Sequence, residues 1–219
     1  FGFAGWARLV LRKWLESLDP ALALGVAGLA GLGVCGWLVL PLGLLSVPLA
    51  TYACLALAAV GVILNFLPAC GAKPSVAKPD AIGIALLAVV LAALAMATIG
   101  AFAPSDTLDW DALAYHLAVP KLWIEHGKVD FISFIHHSNF PFVVDNLFLL
   151  GLKSGEAGAK RFNALFLACG SLAIFGLARS QYGARAGWWA SAAFATVPTV
   201  IWESGTAYID MAHGLYAGI

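Results

Sequence analysis

Long apolar runs alternate with short polar breaks along most of the chain, as they do in polytopic membrane proteins. A run of about 20 apolar residues can cross the bilayer core as one α-helix, so each run predicts a membrane span. Five runs qualify and a sixth begins near Ala207: they are Ala21–Leu40, Leu49–Leu67, Ala81–Ala103, Phe162–Ala178 and Ala186–Trp202. The pattern predicts an all-α fold, a polytopic transmembrane helical bundle with about six spans.

The polar segments divide this bundle into three regions. Residues 1–19 interleave apolar and basic side chains, which predicts an interfacial amphipathic helix. Residues 20–80 then form an N-terminal transmembrane hairpin and a polar cytoplasmic loop, Ala69–Asp80. Residues 81–219 form the remaining transmembrane region. It contains one large outer loop, 104–160, whose apolar residues recur at near-helical spacing and predict amphipathic helices.

Composition supports the membrane assignment. Of the 219 residues 62% are hydrophobic and 11% charged, whereas soluble domains carry about 25% charged residues. Twelve basic and twelve acidic residues balance, so no bulk positive charge indicates nucleic acid. The four cysteines form no metal-ligand spacing and are expected to be small buried side chains. A chain that starts at Phe1 and stops within an apolar stretch is expected to be part of a longer protein.

The basic residues predict the orientation. Those of the short loops and of the first helix fall on one face if the spans alternate: Arg8, Arg12, Lys13, Lys73, Lys78, Arg179 and Arg185. Because such residues accumulate on the cytoplasmic side, that face is expected to be cytoplasmic. The loop 104–160 and the turn Glu203–Thr206 then lie on the outer, periplasmic or extracytoplasmic, face of what is expected to be a bacterial inner membrane. Functional chemistry is expected there.

The long loop and the turn after the fifth run carry the candidate acids. Asp111 precedes Tyr115 by one helical turn, and Asp210 stands where the sixth run begins. Asp145 interrupts an apolar run and is expected to face protein or a wet cavity. The alternative for Asp111 is a helix cap whose carboxylate is solvated. The adjacent pair His136-His137 is a weak metal signal, since neighbouring side chains do not point the same way.

Four short motifs follow one another along the second half of the chain: Asp111-Ala-Leu-Ala-Tyr115-His116, Asn139-Phe140-Pro141, Arg161, and Ala207-Tyr208-Ile209-Asp210. They resemble the N-terminal half of C-type (GT-C) membrane glycosyltransferases, in particular the protein O-mannosyltransferases and lipid A aminoarabinose transferases of the glycosyltransferase family 39 type. The resemblance covers about residues 81–219. The chain departs from the family pattern at Ala112, where many relatives have Glu, and at the single Pro141. Two extra spans precede the matching region.

The resemblance implies a glycosyltransferase that moves a sugar from a polyprenyl-phosphate donor to an acceptor on the outer face. It implies Asp111 as the base that deprotonates the acceptor hydroxyl, and Asp210 as a second catalytic acid that orients the acceptor. The substrate-binding residues it implies are Tyr115, His116, Lys121, Asn139 and Arg161, with the cations holding the phosphate. Some members of the wider fold bind a divalent metal and others do not, so no cofactor and no metal ligand is assigned.

Two other classes of protein fit parts of the sequence. One is a non-catalytic membrane subunit of a larger complex, in which His116 or His213 could ligate a haem or pigment metal. The other is a transporter with Asp145 and Asp210 as coupling acids, although no inverted repeat is visible. The partners expected in every case are membrane lipid and other membrane proteins. Nucleic acid is not expected.

Overall fold

The computed structural model describes residues 2–66 and 78–218, and within them the chain forms helices and turns without a strand. The α-helices are α1 (Gly2–Val10), α2 (Arg12–Leu15), α3 (Pro20–Leu45), α4 (Val47–Asn65), α5 (Ala81–Gly100), α6 (Ala118–His126), α7 (Asp145–Leu152), α8 (Glu156–Tyr182), α9 (Ala184–Ala195), α10 (Pro198–Ser204) and α11 (Asp210–Gly218). A π-helix (Ala112–His116) and a 3-10 helix (His136–Asn139) complete the set. The all-α fold class is therefore confirmed.

Among the residues that the structure describes, four helices are long and apolar enough to cross a membrane: α3, α4, α5 and α8. The shortest has 19 residues, which at 1.5 Å per residue is close to the thickness of the hydrocarbon core. Many of their large apolar side chains are exposed, such as Ile63 at 65% and Ile99 at 71%. Lipid would remove such surfaces from water. These observations identify an integral membrane protein with four candidate spans. Of the predicted polar loop Ala69–Asp80, only Lys78, Pro79 and Asp80 lie within the described residues.

Acidic caps and ion pairs define one end of the bundle. Asp19 caps α3 through the amide of Ala21, and it also accepts a hydrogen bond from Arg179 near the end of α8. Asp80 caps α5 in the same way and pairs with Arg185 at the start of α9. Because α8 ends where α3 and α5 begin, both of these helices run antiparallel to it. The end of the bundle at which α3 and α5 begin and α8 ends is called the turn end below. The opposite end, which carries residues 101–155 and 205–210, is called the loop end.

The first helix packs against the bundle. Gly2 and Gly5 of α1 face Ala58 and Gly61 of α4 so closely that a Cβ on either glycine would overlap the facing backbone. The indole of Trp6 also donates a hydrogen bond to a carbonyl of α4. Small residues allow this approach, as they do between transmembrane helices. Helix α1 therefore runs lengthwise beside the second half of α4.

The fifth predicted span, Ala186–Trp202, is divided in the structure. Helix α9 ends at Ala195 and α10 begins at Pro198. Proline has no amide hydrogen and disfavours helical geometry in the residue before it, and Val197 is accordingly extended. Together α9 and α10 nonetheless follow the whole length of α5, because Trp188 lies beside Gly83 and Gly205 lies beside Gly100. The sixth predicted span corresponds to the nine residues of α11.

The loop 104–160 is largely ordered against the bundle. Helix α7 is buried between α3 and α8, where the Asn146 side chain donates a hydrogen bond to the carbonyl of Gly36. Helix α8 begins at Glu156, earlier than the predicted Phe162, and the buried Lys160 pairs with Glu156 and donates to the carbonyl of Ala103. These contacts place α6, α7 and the π-helix as a layer over the loop end of the bundle.

Candidate functional site

Two acids predicted from the sequence, Asp111 and Asp210, come to the loop end from segments 99 residues apart. Asp111 stands before the π-helix and is half-buried, whereas Asp210 begins α11 and is exposed. The amide of Asp111 donates a hydrogen bond to the hydroxyl oxygen of Tyr208, at 3.3 Å. After burial, the charge of Asp111 and, more weakly, that of Asp210 raise the pKa of the Tyr115 phenol. Asp111, Tyr115, Tyr208 and Asp210 are called the acid cluster below.

The π-helix sets the directions of the side chains that follow Asp111. The amide of Leu117 bonds to the carbonyl of Ala112, five residues back, at 2.9 Å. Such single π turns usually occur at functional sites. Pro120 lies in the first turn of α6, where proline is tolerated. The π turn therefore ends before α6 begins, and it turns His116 inward while Tyr115 stays half-buried.

His116 and Asp145 form a buried pair beneath the acid cluster. The Nδ1 atom of His116 lies 2.5 Å from Oδ1 of Asp145, and their side chains are 2% and 1% exposed. Burial raises the pKa of Asp145, and the hydrogen bond and charge of His116 oppose that effect. The other carboxylate oxygen of Asp145 has no hydrogen-bond partner among the described residues. The expectation that Asp145 faces protein is confirmed, and the pair fixes the π-helix to α7.

Aromatic rings pack along one side of Tyr115. His137 stacks on it with ring centroids 4.1 Å apart, and His116 is tilted against it at 4.2 Å. Phe142 lies beyond at 6.5 Å and has a φ of 47°, which is strained for a bulky residue. Strain of this kind concentrates at functional sites. Burial and the neighbouring His136 lower the pKa of His137. The His136-His137 pair thus contributes an aromatic wall to the cluster.

Asn163 of α8 holds the second half of the cluster in place. Its side-chain amide donates to the carbonyls of Thr206 and Tyr208, each at 2.7 Å. Glu203 is buried and accepts a hydrogen bond from the amide of Met211 in the first turn of α11, at 2.6 Å. Burial raises the pKa of Glu203, and the charge of Asp210 adds to the effect. These contacts fix Tyr208 and Asp210 relative to α8.

The electrostatics of the cluster keep its two phenols protonated. Burial, followed by the charge of Asp111, raises the pKa of Tyr115 to about 12. Burial also raises the pKa of Tyr208, and Asp111, Asp109 and Asp210 contribute to it. A phenol that keeps its proton can donate a hydrogen bond, and a carboxylate can accept a proton. The cluster can therefore hold a hydroxyl-rich ligand and remove a proton from it.

Three predicted binding residues lie away from the acid cluster. Lys121 is exposed on α6, and Asn139 is exposed and bonds only to the carbonyl of His136. Arg161 lies on the other face of α8 from Asn163, where its guanidinium stacks over the ring of Phe102 at 4.6 Å. The structure thus brings together Asp111, Tyr115, His116 and Asp210, whereas no hydrogen bond, ion pair or ring contact joins Lys121, Asn139 or Arg161 to them within the described residues.

Asn163, Tyr208 and His137 were not predicted as site residues. Asn163 could have been found as a polar side chain early in a predicted span, because such residues face protein or cavities. Tyr208 belongs to one of the four motifs but was given no role. Nothing in the sequence indicates that His137 stacks on Tyr115, which lies 22 residues earlier. In the described part of the chain, no group of three or more His, Cys, Asp or Glu side chains is arranged to hold a metal ion.

Comparisons with protein-family models, with curated proteins and with solved structures found no match to this chain.

Proposed function

We propose that this chain is part of a membrane glycosyltransferase that moves a sugar from a polyprenyl-phosphate donor to an acceptor hydroxyl. The observation that carries the proposal is the acid cluster. Two carboxylates from distant segments meet two protonated phenols at one end of an apolar helical bundle. This is a suitable environment for a polar reaction on a lipid-linked substrate, whose tail would lie among the helices while its sugar reaches the cluster.

Asp111 is assigned as the base. It is half-buried, so its carboxylate is partly shielded from water yet accessible to a hydroxyl. The acceptor oxygen would attack the anomeric carbon as its proton passes to Asp111. The bond between that carbon and the phosphate oxygen would break, and the lipid phosphate would leave with the electron pair. A positioned base contributes about 10²–10⁴ in rate. Asp210 and the two phenols would orient the acceptor through hydrogen bonds.

The leaving phosphate needs positive charge nearby. His116, which packs beside Tyr115, is the histidine that the family resemblance implies for this role. Lys121 and Arg161 remain proposals from the family resemblance, and so does binding by Asn139. They would have to reach the donor from outside the acid cluster, since a polyprenyl-phosphate sugar extends well beyond its anomeric carbon. A divalent metal is not assigned.

The proposed topology has six spans, with α9–α10 as the fifth and α11 as the start of the sixth. The loop end would face the outside of a bacterial inner membrane. Three basic residues near the turn end support this orientation, namely Arg8, Arg179 and Arg185, because such residues accumulate on the cytoplasmic side. Single cysteines at exposed Leu108 and Tyr182 in a cysteine-free background test it. A membrane-impermeant maleimide added to intact cells should label the first and spare the second. The reverse would overturn the orientation.

Transfer in proteoliposomes tests the function. The full-length protein receives a radiolabelled polyprenyl-phosphate sugar and a pool of protein, lipid and glycan acceptors, in parallel with the matching nucleotide sugar. We expect transfer from the lipid-linked donor alone. Absence of transfer from every donor would overturn the proposal. Co-purification of the full-length protein with a haem- or pigment-containing complex would then favour the alternative, a non-catalytic membrane subunit.

A further inference from the structure

A second site lies on the other side of α8 from the acid cluster. A cavity of about 490 Å³ opens between α3, α4 and α8, and α1 closes it at the far end. Its volume falls in the range of about 300–1,000 Å³ that is usual for small-molecule sites. Glycines of α3 form its floor, at Gly28 and Gly31, and apolar side chains form its walls. We call this cavity the lipid groove.

The wall of the lipid groove comes from helices that face the bilayer. Leu55 of α4 and Leu165 of α8 line it and are 60% and 44% exposed. Both belong to candidate spans, so the groove would open sideways to lipid rather than to water. A cavity of this kind lacks hydrogen-bonding groups for a polar ligand along most of its length, and its shape and chemistry suit one acyl chain.

Two cations stand at the loop end of the groove. Lys153 and Arg161 line it where α7 ends and α8 begins, and no acidic residue is among the described residues of its lining. Neither cation forms an ion pair within the described part of the chain. Arg161 stacks on Phe102, which leaves its N–H edge available. An arginine edge binds phosphate oxygens in pairs, and a lysine adds a point charge.

We propose that the lipid groove binds an anionic glycerophospholipid, with one acyl chain between α3, α4 and α8 and its phosphate headgroup on Lys153 and Arg161. The charge of the two cations is complementary to a headgroup with a net negative charge. Their position at the start of a candidate span is the depth at which a headgroup lies. The acid cluster is on the opposite face of α8, so the groove is separate from it, and Arg161 takes a lipid headgroup here in place of the donor phosphate that the family resemblance implies for it.

Native mass spectrometry of the full-length protein, titrated with lipids in detergent, tests the proposal. Phosphatidylglycerol should bind more tightly than phosphatidylcholine of the same acyl chains. Replacing both cations, Lys153→Gln with Arg161→Gln, should weaken phosphatidylglycerol binding about 30-fold, a factor of about five per cation. The matched control replaces two exposed lysines that do not line the groove, Lys78→Gln with Lys128→Gln, and should leave phosphatidylglycerol binding unchanged.

A second variant and a soluble probe distinguish binding of the acyl chain from binding of the headgroup. Leu55→Trp should fill part of the groove and weaken both lipids, whereas soluble glycerophosphoglycerol should not displace bound phosphatidylglycerol at equal concentration. The unfolding midpoint of each variant confirms that it is folded. Equal binding of the two lipids, no effect of the Lys153→Gln and Arg161→Gln pair, or full displacement by the soluble probe would each overturn the proposal.

Discussion

Removing Asp145 tests how the layer over the loop end is held. The His116–Asp145 pair is almost completely buried, with its partner atoms 2.5 Å apart. Breaking such a pair by removing one partner usually costs about 3–5 kcal/mol, because the other stays buried without its hydrogen bond. One oxygen of Asp145 is already unpartnered, which makes the wild-type pair less favourable than a fully satisfied one. We therefore expect Asp145→Ala to lower the free energy of unfolding by about 3 kcal/mol, the lower end of that range.

Equilibrium unfolding in detergent micelles, followed by tryptophan fluorescence, measures this change. The chain supplies its own matched control in the His126–Asp130 pair. Its partner atoms are 3.0 Å apart, but its side chains are 43% and 29% exposed. Exposed pairs contribute about 0–1 kcal/mol, so Asp130→Ala should cost no more than about 1 kcal/mol. Equal effects of Asp130→Ala and Asp145→Ala would mean that burial is not the cause.

A double-mutant cycle separates the pair from its surroundings. His116→Ala alone should also destabilise, and the double variant should be less destabilised than the sum of the two by about 0.5–3 kcal/mol. If the two effects added within about 0.5 kcal/mol, the two side chains would not interact, and the buried pair would not be what holds the layer.

The pH dependence gives the sign of the electrostatic effect. Burial raises the pKa of Asp145, so the folded state keeps its proton to a higher pH than the unfolded state. Stability from this group is then fully present below the unfolded pKa of about 4 and falls as the pH rises through the folded value. Asp145→Asn, which cannot ionise, should remove that fall. The prediction would be contradicted if the stability of the wild type rose over the same pH interval and Asp145→Asn removed that rise.

Two further predictions concern the turn end and the first helix. Burial acts to raise the pKa of Asp19, but Arg179 and the amides of α3 lower it by more, so the net pKa is lowered. Asp19 therefore stabilises the fold above a pH of about 4, and this stabilisation is lost as the pH falls through the folded-state pKa. In acid-unfolding experiments Arg179→Ala should remove it, whereas Arg185→Ala at the more exposed Asp80 pair should have a smaller effect. Gly61→Val should separate α1 from α4 and lower the free energy of unfolding by about 1–3 kcal/mol. The control is Gly214→Val, where an added Cβ meets no atom of the described residues within 4 Å; it should change the free energy of unfolding by less than about 0.5 kcal/mol, because valine is no worse a helix former than glycine. Equal losses in the two variants would argue against close packing of α1.

The long helices could be predicted from the sequence because the length of an apolar run alone determines them. An uninterrupted apolar run has to be helical in a bilayer, since every backbone group must find a partner within the segment. The runs at Ala81–Ala103 and Leu49–Leu67 could therefore be located within a few residues. The break at Pro198 was a local signal that the length of the fifth run obscured. The position of α1 could not be predicted, because an amphipathic pattern looks the same whether its apolar side meets lipid or another helix.

The candidate site was predictable only in part. Asp111 and Tyr115 were placed together because their spacing is local, and Asp210 was placed at the same end by counting spans. The pairing of His116 with Asp145 depends on a tertiary contact over 29 residues that no periodicity encodes. Arg161 was assigned to the substrate by motif order alone, whereas its face of α8 depends on the packing of neighbouring helices. Side-chain direction, rather than position along the chain, was the quantity that sequence reasoning lacked.

If the acid cluster performs sugar transfer, replacing its base should abolish most of the turnover. Asp111→Asn in the full-length protein tests this most directly. The variant keeps the size of the side chain but cannot accept a proton, so kcat should fall about 10²–10⁴-fold. The control, Asp106→Asn, changes an exposed acid of the same loop that lies outside the acid cluster, and it should retain wild-type turnover. Wild-type turnover in a folded Asp111→Asn protein would contradict the account.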